Sequence, residues 1–275
     1  MTEEEKASRL RQAEECLKAG RYQEAITIYR TLADSSPEDE SLLLSLAWAY
    51  YDSGNREQAI DCFDHLFNRE LARSVFTGFA YDELVRIYKA ERKFDRLVDV
   101  CARAANAQPQ DTGLLGELGA AYLKAGRTGD AISVFKKIIG REPDAVSIYC
   151  LLGEAFVAEG EYTQAETACA RAAGIEPDAA CSFYSRLAHC YLRAGEHARA
   201  ETLFRRCLET EGQNPLCHCS LGEALIGQGK FAEAKAAYET AIALHPGSAE
   251  AFYKRLVSGL PSSLPPPSIK PCPFS

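Results

Sequence analysis

Cys217-His218-Cys219 is the tightest run of metal-ligating side chains in the sequence. A structural zinc site needs ligands that converge on one ion, usually as spaced Cys and His pairs. Neighbouring residues on a helix point apart, so Cys217 and Cys219 cannot both face one ion, although His189 could lie near Cys219. No CxxC pair occurs among the eleven cysteines, so no metal is expected. No glycine-rich phosphate loop follows a strand, because no strand is legible. No serine, histidine and acid fall at spacings that a helix face would gather. The expectation is a chain with no catalytic residue and no cofactor, not an enzyme.

The charge balance points the same way. The formal net charge is −8 and the pI about 5.3, which disfavours binding along a phosphate backbone. Nucleic acid is therefore not an expected partner. The opening MTEEEKASRLRQAEE has no apolar segment after a basic start, so no secretory signal is expected. No apolar run approaches the ~18–20 residues that cross a bilayer, so membrane insertion is not expected. The odd number of cysteines lacks the spacing of a disulfide framework. They fit a reducing cytoplasm, with Cys101, Cys169 and Cys207 as small apolar packers.

The elements that position any site are helical hairpins. Residues 146–177 show the unit: Tyr149, Leu152 and Phe156 fall on one helical face, a turn comes at Gly160, and Ala165, Cys169 and Ala172 form a second stripe. Equivalent units start near Lys6, Glu40, Gly78, Thr112, Val146, Cys181 and Pro215, with a partial one at Ala249. The step is 34 or 35 residues, except for 38 between Glu40 and Gly78. Position eight is small at Ala13, Ala47, Gly119, Gly153, Ala188 and Gly222. Position twenty is alanine at Ala25, Ala59, Ala131, Ala165, Ala200 and Ala234. These positions are expected to lie where the paired helices approach most closely. Glycine recurs at the turns and proline at the ends of second helices: Pro37, Pro109, Pro143, Pro177 and Pro246. The third unit departs, with Val85 and Leu97 for the small pair and Arg92 for the turn glycine. A wider helix pair and a change of pitch are expected near residues 67–78. In the first unit Arg9 and Gln12 replace apolar residues, as suits an outermost unit facing water.

This 34-residue helix–turn–helix pattern resembles the tetratricopeptide repeat family over roughly residues 6–258. The resemblance implies an all-α, right-handed α-solenoid of about seven full repeats plus a terminal helix, over residues 1–258. The segment 259–275 is rich in proline and is expected to be a disordered tail.

It also implies a concave face lined by first helices, reached by positions two, five, nine, twelve and thirteen. Those positions hold Leu44, Trp48 and Tyr51 in the second unit and Phe79, Asp82, Arg86 and Lys89 in the third. Further along they hold Lys124, Glu154, His189 and Glu223, together with Leu216 and Cys219. The face is mixed in sign, and Gly113, Gly116 and Ala120 leave its middle open to an extended or helical peptide. Trp48, Tyr51 and Phe79 are the expected apolar anchors, with packing of Trp48 on the neighbouring first helix as the structural alternative. Arg86, Lys89 and Lys124 would orient an acidic group of the partner. Some family members hold a carboxylate with an asparagine at position nine; no asparagine stands there in this chain, which argues against that mode. The expected function is a scaffold or adaptor holding a protein or peptide. The alternatives are a regulatory or substrate-presenting module of an enzyme complex, or a self-associating homo-oligomer.

Overall fold

Capping residues set where the helices begin. In the computed structural model, which describes residues 2–73 and 78–259, Thr2 and Glu5 form a reciprocal capping box ahead of α1 (Glu3–Lys18). Asp39 accepts the Ser41 amide at 3.1 Å to start α3 (Glu40–Asp52), and Asn214 accepts the Cys217 amide at 3.1 Å to start α13 (Pro215–Gly227). All regular structure among the described residues is helical. The remaining helices are α2 (Tyr22–Ser35), α4 (Arg56–Ala72), α5 (Phe79–Ala90), α6 (Phe94–Ala107), α7 (Thr112–Lys124) and α8 (Thr128–Ile139). They continue with α9 (Val146–Ala158), α10 (Tyr162–Ile175), α11 (Ala180–Ala194), α12 (His197–Thr210), α14 (Phe231–Leu244) and α15 (Ala249–Gly259). Observed starts agree with the expected ones to within a residue, except that the Thr2 cap draws α1 back from Lys6 to Glu3.

The helices form two compact units, divided between Ala121 and Tyr122, within α7. In the first, each helix from α1 to α6 packs on the next. In the second, α8 to α15 do the same, and the first helices α9, α11, α13 and α15 also touch in succession. This is the all-α repeat architecture expected, with each hairpin burying its apolar stripes on its neighbours.

The small-residue pairs sit in the core. Ala25, Ala59, Ala131, Ala165, Ala200 and Ala234 are wholly buried, as are Ala13, Ala47 and Ala188. The reason for glycine at position eight differs between repeats, however. A Cβ on Gly222 would lie 2.4 Å from Tyr238 Cε2, whereas one on Gly153 would meet nothing nearer than the Ala165 carbonyl at 3.6 Å. Close approach thus demands glycine at Gly222 and only tolerates it at Gly153.

The turns show one exception. Gly160 has a φ of 76°, a left-handed conformation shared by the equivalent turn glycines. Arg92 takes the same conformation with φ 57°, the one non-glycine among the described residues to do so. Val85 and Leu97 are both buried in the third hairpin. The extra residues before it lengthen α4 to 17 residues, against 12 in α8 and 14 in α2 and α6. The added turn is tied down: Arg69 hydrogen-bonds the Pro37 carbonyl and pairs with Glu38 and Glu40, and Arg73 pairs with Glu40 at 2.7 Å. Of residues 67–78, where a change of pitch was expected, 74–77 lie outside the described residues, as do 260–275 of the expected tail. Arg9 and Gln12 are exposed.

Candidate functional site

The expected inner-face positions divide between the two units. In the first unit, α3 and α5 bring together Trp48, Tyr51 and Arg86. Trp48 meets Tyr51 edge to face, centroids 5.8 Å apart, and meets the buried Phe63 of α4 in the same way at 5.7 Å. Trp48 therefore packs on the second helix of its own repeat as well as meeting Arg86 of the neighbouring first helix, and the indole remains half-buried. Leu44, one turn earlier, is half-buried too.

Arg86 spans this pair. Its guanidinium lies 4.9 Å from the Tyr51 centroid and 5.7 Å from that of Trp48, within cation–π range. It donates to the Tyr51 hydroxyl at 3.2 Å and to Glu83 at 2.8 Å through Nε and 2.7 Å through Nη2. The bonds to Tyr51 and then Glu83 raise its pKa above the ordinary arginine value. A second guanidinium, Arg56, stands 5.9 Å from the Tyr51 centroid and pairs with Glu91 at 3.3 Å.

The cations beside the aromatic pair are thus already engaged. Lys89 pairs with Glu117 at 2.9 Å. The exposed carboxylates Glu14, Asp52 and Asp82 have no ion pair among the described residues. Phe79, at the start of α5, is 45% exposed. Glu83 and Glu117 were not among the expected residues. The three-residue spacing of Glu83 and Arg86 is a legible helix pairing signal, whereas the Lys89–Glu117 contact between helices is not.

In the second unit Lys124 is exposed, Glu154 is ion-paired with Arg186 of α11, and Glu223 pairs with Arg255 of α15 at 3.5 Å. His189 Nδ1 lies 2.7 Å from the Ser185 carbonyl and Nε2 3.1 Å from Ser220 Oγ, with the ring edge-on to Phe204 at 5.1 Å. The histidine therefore bridges α11 to α13 by polar contacts, with one ring nitrogen held by its own helix. A cleft of about 610 Å3 opens beside Glu154, Val157, Tyr162, Cys190 and Arg193. Leu216 is 64% exposed and occupies position two of its repeat, the position Phe79 holds in the first unit.

Cys217, His218 and Cys219 do not converge. The Cys217 thiol donates to the Phe204 carbonyl at 3.5 Å, the His218 ring reaches the Gly212 carbonyl at 2.9 Å, and Cys219 packs with Tyr238, Ala241 and Phe252. Cys101, Cys169 and Cys207 are buried, and burial pushes the Cys169 thiol up to about 12. Among the described residues no helix is long and apolar enough to cross a membrane.

Comparison with known proteins agrees with the repeat geometry. Family models described as tetratricopeptide repeat match residues 17–72 and 117–180, and one described as anaphase-promoting complex, cyclosome, subunit 3 matches 158–241. Human protein O-mannosyl-transferase TMTC1 is 26% identical over 165 residues, which are 58% of this chain and 18% of that protein. Lipopolysaccharide assembly protein B of Escherichia coli is 24% identical over 199 residues, 69% of this chain and 50% of that protein. The chain thus spans no more than half the length of either curated relative. The crystal structure of the C-terminal part of a TPR repeat-containing protein from Cytophaga hutchinsonii shares the fold, with a TM-score of 0.56 at 17% identity over 92% of this chain and 99% of that one. With its hairpins, turn residues and small pairs in register through both units, this chain is a tetratricopeptide repeat protein.

Proposed function

We propose that the chain is a binding protein rather than an enzyme, a scaffold that holds a protein or peptide on its first-helix faces. The observation that carries the reading is the placement of exposed apolar groups. Phe79 and Leu216 stand at the same repeat position in the two units, while the large side chains of the hairpin interiors are buried. Exposed apolar residues beside half-buried aromatics are a usual mark of an interaction surface. Leu44, Trp48, Tyr51, Phe79 and Asp82 form the proposed face of the first unit. Lys124, Glu154, His189 and Glu223 belong to that of the second. In this reading residues 1–258 form the repeat array and 259–275 a proline-rich tail.

The test is a Tyr51→Ala, Phe79→Ala double variant, which spares the Trp48 contact with Phe63. A partner would first be identified by affinity capture and mass spectrometry, and then purified. The variant should keep its helical circular dichroism and bind that partner at least about tenfold more weakly, as expected for two anchors. Equal affinity would remove this face from the account.

A second reading has its own support. Both curated relatives match this chain over only part of their length, and one is a transferase by name. The repeats would then present substrates or partners within an enzyme complex. Purifying the native assembly and assaying it for transferase activity separates the two readings.

A further inference from the structure

The chemistry of the partner can be narrowed for the face of the first unit, and the step rests on the scaffold reading above. Arg86 and Lys89 appear in the sequence as cations offered to an acidic partner, but in the fold their charge is answered from within, by Glu83 and Glu117. What remains unanswered is negative: Glu14, Asp52 and Asp82 against Lys18 alone. On the same helix as Asp52 stand two aromatic rings, Trp48 and Tyr51, that already bind a guanidinium.

We propose that this face takes an arginine-bearing segment of a basic protein partner, the incoming guanidinium exchanging for Arg86 over Tyr51 and Trp48. Three features of the site favour that occupant. A guanidinium fits here, since Arg86 reaches both rings and the Tyr51 hydroxyl at once. The carboxylate beneath it, Glu83, has a side chain only 16% exposed, so a replacement cation inherits a partly desolvated partner. Asp82 lies one helical turn before Arg86, and Asp52 one turn after Trp48, so each can meet a further positive charge on the same segment. Arg86, 46% exposed, is free to swing into water when displaced. Phe79, next along α5, gives an apolar neighbour of the arginine a place to rest. Arginine is favoured over lysine because its flat, weakly hydrated head stacks on aromatic faces.

The sign of one mutation decides the matter. Trp48 is the single tryptophan of the chain, so its emission reports on the site directly. The probes are short glycine–serine peptides carrying arginines, lysines or glutamates, titrated into the full chain. The arginine peptide should perturb Trp48 most and release with added salt. Arg86→Ala should tighten its binding by roughly two- to fivefold, because no resident cation need be displaced. Joint Asp52→Asn and Asp82→Asn should weaken it by roughly two- to tenfold. Tighter binding of the glutamate peptide, weaker arginine binding by the Arg86→Ala variant, or no response to any peptide would overturn the proposal. If purified-partner binding still depended on Tyr51 and Phe79, only the sign of the partner's charge would be wrong. Indifference to those two residues would remove the binding face itself.

Discussion

Two glycines at the same repeat position should answer the same substitution with opposite signs. Replacing a mid-helix glycine by alanine gains about 1 kcal/mol from helix propensity alone. At Gly153 nothing opposes that gain. The new methyl would meet the Ala165 carbonyl at 3.6 Å and Leu187 Cδ1 at 3.8 Å, ordinary contact distances, so Gly153→Ala should stabilise by about 0.5–1 kcal/mol. At Gly222 the methyl would fall 2.4 Å from Cε2 and 2.6 Å from Cδ2 of Tyr238. Carbon atoms prefer about 3.5–4.0 Å, so the ring must retreat by roughly 1 Å. It has little room: Tyr238 is wholly buried and packed with Cys219, Ala241 and Phe252. Overpacking of this kind costs about 1–3 kcal/mol. Set against the propensity gain, it leaves Gly222→Ala destabilised by up to about 2 kcal/mol. Urea unfolding followed by circular dichroism measures both, read as midpoint shifts at a common slope. A Gly222→Ala chain more stable than the parent, or a less stable Gly153→Ala, would refute the view that the neighbouring ring, and not the repeat position, decides where glycine is required.

Other outcomes follow from named contacts. Arg92→Gly should raise stability by about 1 kcal/mol, since an exposed arginine now holds a left-handed backbone that glycine adopts without cost; thermal unfolding would show it as a higher midpoint. Asp39→Ala should cost about 1 kcal/mol at pH 7 through loss of the α3 cap. The hydrogen bond from Lys6, then that from Ser41, holds the Asp39 carboxyl at about 2, below its ordinary 3.8. A lowered folded-state pKa contributes stability that is complete above about pH 4 and is lost as pH falls towards 2. The gap between parent and Asp39→Ala, measured in urea at several pH values, should therefore narrow across that window. Glu201 should behave alike: burial alone would raise its carboxyl, but hydrogen bonds from Lys230, Arg205 and Gln228 outweigh that and lower it to about 2. Its Glu201→Gln variant should lose its deficit between about pH 4.5 and 2. Finally, Cys169 and Cys207 should resist a thiol alkylating reagent at neutral pH until urea opens the fold, which peptide mapping would read.

The helical register was legible because it repeats. One hairpin's apolar stripes are ambiguous, but seven in phase place Gly160, Ala165 and their equivalents within a residue of where they lie. What the period could not reveal was local exception. The substitution of Arg92 for a turn glycine is visible in the chain, yet that its backbone takes the glycine's conformation anyway is not. The small residues at Gly153 and Gly222 look alike in sequence and differ by what faces them, a carbonyl in one case and an aromatic ring in the other. Repeat register names the proposed inner-face positions but not the state of their charges. A count of cations and anions left Arg86 and Lys89 available. Side-chain geometry, which brings Glu83 and Glu117 within 3 Å, showed them engaged. Trp48 illustrates both limits, since register put it on the face and only packing revealed its edge on Phe63.

The lengthened α4 has a consequence for how the chain comes apart. Arg69 and Arg73 fasten its added turn to Glu38 and Glu40, across the linker that joins α2 to α3. A helix that would otherwise fray is strapped to the preceding junction, so these three elements are obliged to open as one cooperative block. Amide protons of the last turn of α4 and of the first turn of α3 should exchange at a common rate, and cutting the strap at Arg69 should uncouple them.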